Sequence, residues 1–184
     1  MKFVLGDNDV RVISSPHQIY QHWEADVSGQ SRTIPCAVND CPLCATGSKA
    51  KPHWYLAVID RKTNTPKTVK VGIQIFKAIK ELADKKAWGD PRGYDLCITR
   101  KEPGQNPLYV VTPGEKKPFT AEEKQMAKDF FDRVKLEDLS AAPSPEEVAS
   151  RMGIELKPKK VEGGIVVASG AKTEEADSDF DFND

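Results

Sequence analysis

The clearest hydrophobic pattern in the chain runs from His53 to Thr112. In WYLAVID (54–60), Trp54, Leu56 and Val58 alternate with Tyr55, Ala57 and Ile59. Both sides are apolar or aromatic, as in a central strand covered on two faces. The polar stretch RKTNTPKT reads as a turn, and TVKVG (68–72) as the returning arm of a hairpin. Ile75, Phe76, Ile79, Leu82 and Ala83 then share one stripe, with Lys77, Lys80, Lys85 and Lys86 outside it, which predicts a helix over 73–86. WGDPRG (88–93) breaks that helix, and Trp88 is expected to act as a lid on it rather than as a loop-borne platform for a base. YDLCITR (94–100) alternates as a strand, KEPGQNP turns, and LYVVT (108–112) is a further strand.

The flanks are less regular. Residues 1–50 show little periodicity and are expected to be loop-rich or organised by a metal. Beyond residue 117, Thr120 and Glu123 have the spacing of a capping box, with Met126, Phe130 and Val134, joined by Ala127 and Phe131, as the buried face. Ser144-Pro145-Glu146-Glu147 starts a second short helix that ends before Gly153. The whole predicts a mainly β chain, a small Greek-key barrel of the oligonucleotide-binding type with one inserted helix. Residues 1–117 would form that domain with its metal-stapled N-terminal region, and 118–157 short helices on or beside it. Residues 158–184 would be a linker and an acidic tail, disordered from Thr173.

Charge sharpens this picture. Residues 1–117 carry 18 Lys and Arg against 12 Asp and Glu, whereas 173–184 carry no base and six acids. A basic body with an acidic tail points to nucleic-acid binding, although a solubilising tail would give the same balance. No apolar run approaches the ~18 residues that span a bilayer, which argues against a membrane protein. The start, MKFVLGDNDVRV, turns acidic after three apolar residues, unlike a secretory signal peptide.

Three of the four cysteines fall within nine residues, as Cys36-AVND-Cys41-PL-Cys44. Zinc favours thiolate and imidazole in a closed tetrahedron, and a two-residue spacer lets both sulfurs of a knuckle reach one ion. His22 is the expected fourth ligand, with His17, His53 and Cys97 as rivals. Cys97 alternates within a strand, which suits a small buried side chain. A thiol–disulfide enzyme using Cys41 and Cys44 is the competing reading, but such pairs open a helix inside a βαβ unit. No HExxH or deaminase-type motif accompanies the cluster, so a structural Zn2+ is expected rather than a catalytic one.

Proteins that bind single strands combine a basic groove with aromatic platforms on which bases stack. Here aromatics sit beside bases in the expected strands and loops. Arg61, Lys62, Lys67, Lys70, Arg100 and Lys101 are candidates for phosphates, and Tyr55, Tyr94 and Tyr109 for bases. Strand alternation keeps Trp54 and Tyr55 on opposite faces, so only one of them can serve. In the tail, Phe180 and Phe182 alternate with Asp177, Asp179, Asp181 and Asp184. That pattern suits docking on a partner's basic pocket or competing with DNA for the groove.

These residues together resemble a known family. The His22-Trp23 pair, the Cys36-x4-Cys41-Pro-Leu-Cys44 cluster, the HWYLAVID strand, the IFKAIKELADKKAWGDPRGYDLCITR block and the acidic aromatic tail look like the zinc-containing single-stranded DNA-binding proteins of tailed bacteriophages. The resemblance covers roughly residues 10–115 and the last dozen. It implies an oligonucleotide-binding fold and a structural zinc on His22, Cys36, Cys41 and Cys44. It also implies a non-enzymatic role, coating single-stranded DNA in replication, recombination and repair in the cytoplasm of an infected bacterium, with the tail recruiting replication proteins. Two departures stand out. The first ten residues hold one lysine and two aspartates where better-known members carry a basic arm, and the Cys36–Cys41 spacer is shorter. A zinc-ribbon interaction module without DNA binding of its own is the alternative.

Overall fold

The computed structural model describes residues 1–104 and 107–156. The tail residues Asp177, Asp179, Phe180, Asp181, Phe182 and Asp184 lie outside the described residues. Seven strands form one antiparallel sheet: β1 (Asp9–Val12), β2 (His17–Ala25), β3 (Ser31–Pro35), β4 (Lys51–Asp60), β5 (Thr65–Gly72), β6 (Tyr94–Arg100) and β7 (Tyr109–Lys116). Among the described residues, four α-helices accompany them: α1 (Pro42–Ala45), α2 (Ile73–Ala83), α3 (Ala121–Phe131) and α4 (Pro145–Met152).

The long strand β4 organises the sheet. Its first half pairs with β2, its second half with β1, and its other edge with β5 from His53 to Asp60. β3 extends the sheet beyond β2, while β6 and β7 extend it beyond β1. The two apolar sides of WYLAVID are both covered, as its alternation requires. Trp54, Leu56 and Val58 join Val10, Val12, Val69, Val71, Leu96 and Ile98 beneath α2, which contributes Ile75, Ile79 and Leu82. The Trp54 indole stacks on Phe76 with ring centroids 3.8 Å apart. Trp88 packs against the same core, edge-on to Tyr94. On the opposite face, Ala57 and Ile59 meet Phe130 of α3 together with Ile13 and Leu136.

Helix α3 is fixed to the sheet by charge as well as by packing. Thr120 and Glu123 form the capping box, and Glu123 also accepts from Arg61 Nη1 at 2.6 Å. Arg11, wholly buried, pairs with Asp95 at 3.3 Å, donates to the Lys117 carbonyl and lies 4.6 Å over the Phe119 ring. Helix α4 packs elsewhere. Its Val148 joins Ile34, Cys41 and Leu43 in a third cluster, and Gly153 ends the helix in the left-handed conformation.

Three expectations need correction. Residues 1–50, expected to be loop-rich or organised by a metal, keep that character in part but also contain β1, β2 and β3. β2 hides its periodicity because two of its buried side chains, Gln21 and His22, are polar. The helix expected over 73–86 ends at Ala83. Phe131 does not belong to the buried face of α3: it is the last helical residue and stays exposed, while Val134 packs from beyond the helix.

Candidate metal centre and adjoining cleft

His22, Cys36, Cys41 and Cys44 come from three local structures. His22 lies in β2 opposite Ile34 of β3, and Cys36 follows β3 directly. Cys41 caps α1, whose first residue is Pro42, and Cys44 lies one turn on. The intervening loop turns through Val38, which has φ of 56°. The Nε2 atom of His22 is 3.4 Å from the Cys41 sulfur and 3.5 Å from that of Cys44, and the Cys36 and Cys44 sulfurs are 3.5 Å apart. All four donor atoms lie within 4.8 Å of one another. In a tetrahedron with Zn–S of about 2.3 Å and Zn–N of about 2.0 Å, ligand atoms are separated by ~3.5–3.8 Å. The four residues can hold a metal ion, and the donor set and spacing fit zinc.

The surroundings of His22 favour the same role. Its ring is fully buried, and Nδ1 lies 2.8 Å from the Ser48 hydroxyl, which donates in turn to Glu24 Oε1. A serine that donates to a carboxylate accepts from Nδ1–H. The Nε2 lone pair is thereby left facing the sulfurs, the usual orientation of a ligating histidine backed by an outer partner. Burial lowers His22 from the ordinary histidine value against the pull of Glu24, and so favours the neutral ring. Among the thiols, Cys44 is pushed up to about 12 by desolvation of its sulfur at the cluster, although the residue as a whole is exposed, and by neighbouring Cys36 and Cys41. Burial also opposes ionisation of Cys41, but backbone N–H groups of Cys44, Ala37 and Leu43 outweigh it and lower its value. Sulfurs this close compete for charge, and a bound cation removes that conflict.

The rival ligands are not in this cluster. His17 pairs with Tyr55 across β2 and β4, His53 sits opposite Ile19, and Cys97 lies in β6 beside Thr99. The βαβ setting of a thiol–disulfide enzyme is also missing among the described residues, where every strand pairing is antiparallel.

No family model, no curated protein and no solved structure matches this chain.

The aromatic and basic candidates fall into two groups. Tyr94 is wholly buried, with its hydroxyl donating to the Gly89 carbonyl, so it has no face to offer a base. Tyr55 packs into the cluster beneath α3, and Tyr109 lies against Phe3. Arg61 clamps Asp95 with contacts of 2.6 and 3.1 Å in addition to Glu123. Arg100 binds the carbonyls of Phe3, Glu102 and Gly104, and Lys67 pairs with Asp60 at 2.5 Å. These side chains make contacts within the fold. Lys62, Lys70 and Lys101 remain at the surface.

Of these, Lys70 opens onto a feature that the sequence reading missed. A cleft of about 700 Å³ beside the metal centre is lined by Trp23, Lys49, Lys51, His53 and Lys70, with Gln21, His22, Glu24 and Thr33. The Trp23 indole is 61% exposed, although tryptophan is ordinarily highly buried. Lys70 donates to Gln21 at 2.8 Å, and burial together with Lys2 lowers its value. Burial likewise lowers His53, with Lys70 and Lys51 adding to the effect against a hydrogen bond to the Lys51 carbonyl. The available signal was a tryptophan in a strand otherwise rich in polar residues, followed by two lysines just beyond the cysteine knuckle.

Proposed function

We propose that this chain is a non-enzymatic single-stranded DNA-binding protein, built on an oligonucleotide-binding-type barrel with a structural zinc. The observation that carries the reading is the cleft, where an exposed indole and three lysines share one concave surface. Lysines draw the phosphate backbone electrostatically, and the indole offers a base a stacking face without reading its identity. The sheet topology supports the fold assignment. β1 and β2 run consecutively along one edge of β4, as one bent first strand would, and β5, α2, β6 and β7 follow in chain order.

The chain's own residues supply the mechanism. Cys36, Cys41 and Cys44 with His22 hold the knuckle against β2. Lys49, just before β4, and Lys51, its first residue, line the cleft. Zinc bound at the knuckle would act as a structural cross-link. Following the family resemblance, the setting is replication, recombination and repair of phage DNA in the infected bacterial cytoplasm, with the acidic tail docking replication proteins.

The test is a titration of zinc-assayed protein with a ~30-nucleotide single strand, its duplex and the matching RNA, at two salt concentrations. Single-stranded DNA should quench tryptophan emission, and Trp23→Phe should remove most of the response because Trp54 is buried and stacked. Log K should fall with log salt by about 0.7 per phosphate neutralised, with Lys51→Ala reducing the slope by roughly that amount. Equal tightness for RNA would widen the substrate class to single strands in general. Stoichiometric zinc with no response to any nucleic acid would overturn the proposal in favour of a zinc-stapled interaction module.

A further inference from the structure

The four metal-ligating side chains are unequally shielded. His22 and Cys41 are buried, Cys36 is half-buried and Cys44 is exposed. Cys44 opens onto a second cleft of about 620 Å³, on the knuckle side of the centre, bordered by Val38, Cys41, Pro42 and Leu156. The Cys36 and Cys44 sulfurs lie 3.5 Å apart, about 1.5 Å beyond the length of a disulfide bond. They are carried by a loop and a single helical turn, whose Cys41 and Leu43 pack against Ile34 of β3. We infer that Cys36 and Cys44 form a peroxide-sensitive pair, whose oxidation to a disulfide releases the metal. The inference rests on the reading of this cluster as a metal centre.

The chemistry balances with a peroxide as the two-electron oxidant. A metal-bound thiolate is kept deprotonated and retains nucleophilic character. The exposed Cys44 sulfur attacks the O–O bond of hydrogen peroxide. That bond breaks, hydroxide leaves and is protonated to water, and Cys44 becomes a sulfenic acid. The Cys36 thiolate then attacks the sulfenyl sulfur; the S–S bond forms, the S–O bond breaks, and a second hydroxide leaves as water. Two thiolates, one peroxide and two protons give one disulfide and two waters. The ion keeps only His22 and Cys41, too few to retain it. A dithiol reductant reverses the step and restores the ligands.

The remaining cysteine is poorly placed to compete. Cys97 lies in β6 of the folded sheet, and burial together with Asp9 raises its thiol, which stays protonated.

The experiment uses the full-length zinc-loaded chain. Stepwise hydrogen peroxide is added while zinc is followed with a chromogenic chelator, and disulfides are mapped by peptide mass spectrometry. One zinc should appear per peroxide consumed, with a Cys36–Cys44 cross-link, a mass loss of about 2 Da and recovery of bound zinc after dithiothreitol and fresh metal. Cys97→Ser should behave identically. Zinc retained at a tenfold peroxide excess would overturn the inference, as would a first product on Cys97 or a bridge to Cys41. Protein that takes up no zinc before oxidation would remove the metal reading itself, and the zinc assay that precedes the peroxide separates the two failures.

Discussion

Arg61 offers the sharpest separation between a cation that binds DNA and one that builds the fold. Its guanidinium makes three charge-assisted contacts, two to Asp95 and one to Glu123, at 2.6 to 3.1 Å. Its side chain is 19% exposed, that of Asp95 22% and that of Glu123 8%. Arg61→Ala leaves Glu123 without its side-chain partner at the start of α3, whereas Asp95 retains Arg11 and Lys117. Breaking a well-buried pair costs about 3–5 kcal/mol, and the partners kept by Asp95 reduce this to roughly 2–4 kcal/mol. At this chain length the loss corresponds to a Tm lowered by roughly 5–15 °C. Urea denaturation should show a lower midpoint at constant m-value. In the same variant, single-strand affinity and its salt slope should remain those of the parent at a temperature where both are folded. Unchanged stability combined with a salt slope reduced by about 0.7 would refute the argument and return Arg61 to the phosphate contacts.

The other predictions concern the cleft, the metal and acid. Trp23→Ala should weaken single-strand binding by ~1–3 kcal/mol, roughly 5- to 150-fold, measured by anisotropy with an end-labelled oligonucleotide; parental affinity would rule out base stacking at this site. Ser48→Ala interrupts the relay from Glu24 to His22 and should lower zinc affinity ~10- to 100-fold in competition with a chelator, with the ligand count unchanged. Burial opposes ionisation of Asp95 and Glu123, but Arg61 and the other donors outweigh it and hold both below the carboxylate range. Depressed native values add stability above the unfolded carboxylate range, about pH 4; that stability begins to fall there and is lost as pH falls through the lower native values. The urea midpoint should therefore drop as pH falls below about 5, and Arg61→Ala should flatten that drop.

What could be read from the sequence depended on how far apart the interacting residues lie. The β4–β6 region declared itself because its apolar alternation is local and complete on both faces. The cysteine set declared itself because Cys36, Cys41 and Cys44 are neighbours in the chain, and only His22 had to be chosen among rivals. The roles of Arg61 and Arg100 could not be read that way. Arg61 meets Asp95 and Glu123 at separations of 34 and 62 residues, and Arg100 meets Phe3 across 97. From composition alone these are basic residues near aromatics, indistinguishable from phosphate contacts. Tyr94 misled similarly, since a tyrosine opening a strand gives no sign that its whole ring is enclosed. The Trp23 cleft was hidden for the opposite reason. Gln21 and His22 are buried polar side chains, so β2 lacked the alternation that would have marked it as a strand.

The docking of α4 on the knuckle makes the chain's folding order legible from its ends. An eight-residue helix is too short to persist in water by itself, even with a capping box and proline at its start. Its apolar residues Val148 and Met152 find their partners on Leu43, Cys41 and Ile34, more than 100 positions earlier. A backbone bond from Val27 N–H to the Arg151 carbonyl ties its last turn to the same region. The helix therefore has a surface to form against only after the upstream cysteines are gathered. During synthesis the sheet strands and α3 can assemble first, and the segment around Val148 docks after them. Helicity there becomes a downstream gauge of whether the distant knuckle is closed, which a single spectroscopic label on α4 would report in real time.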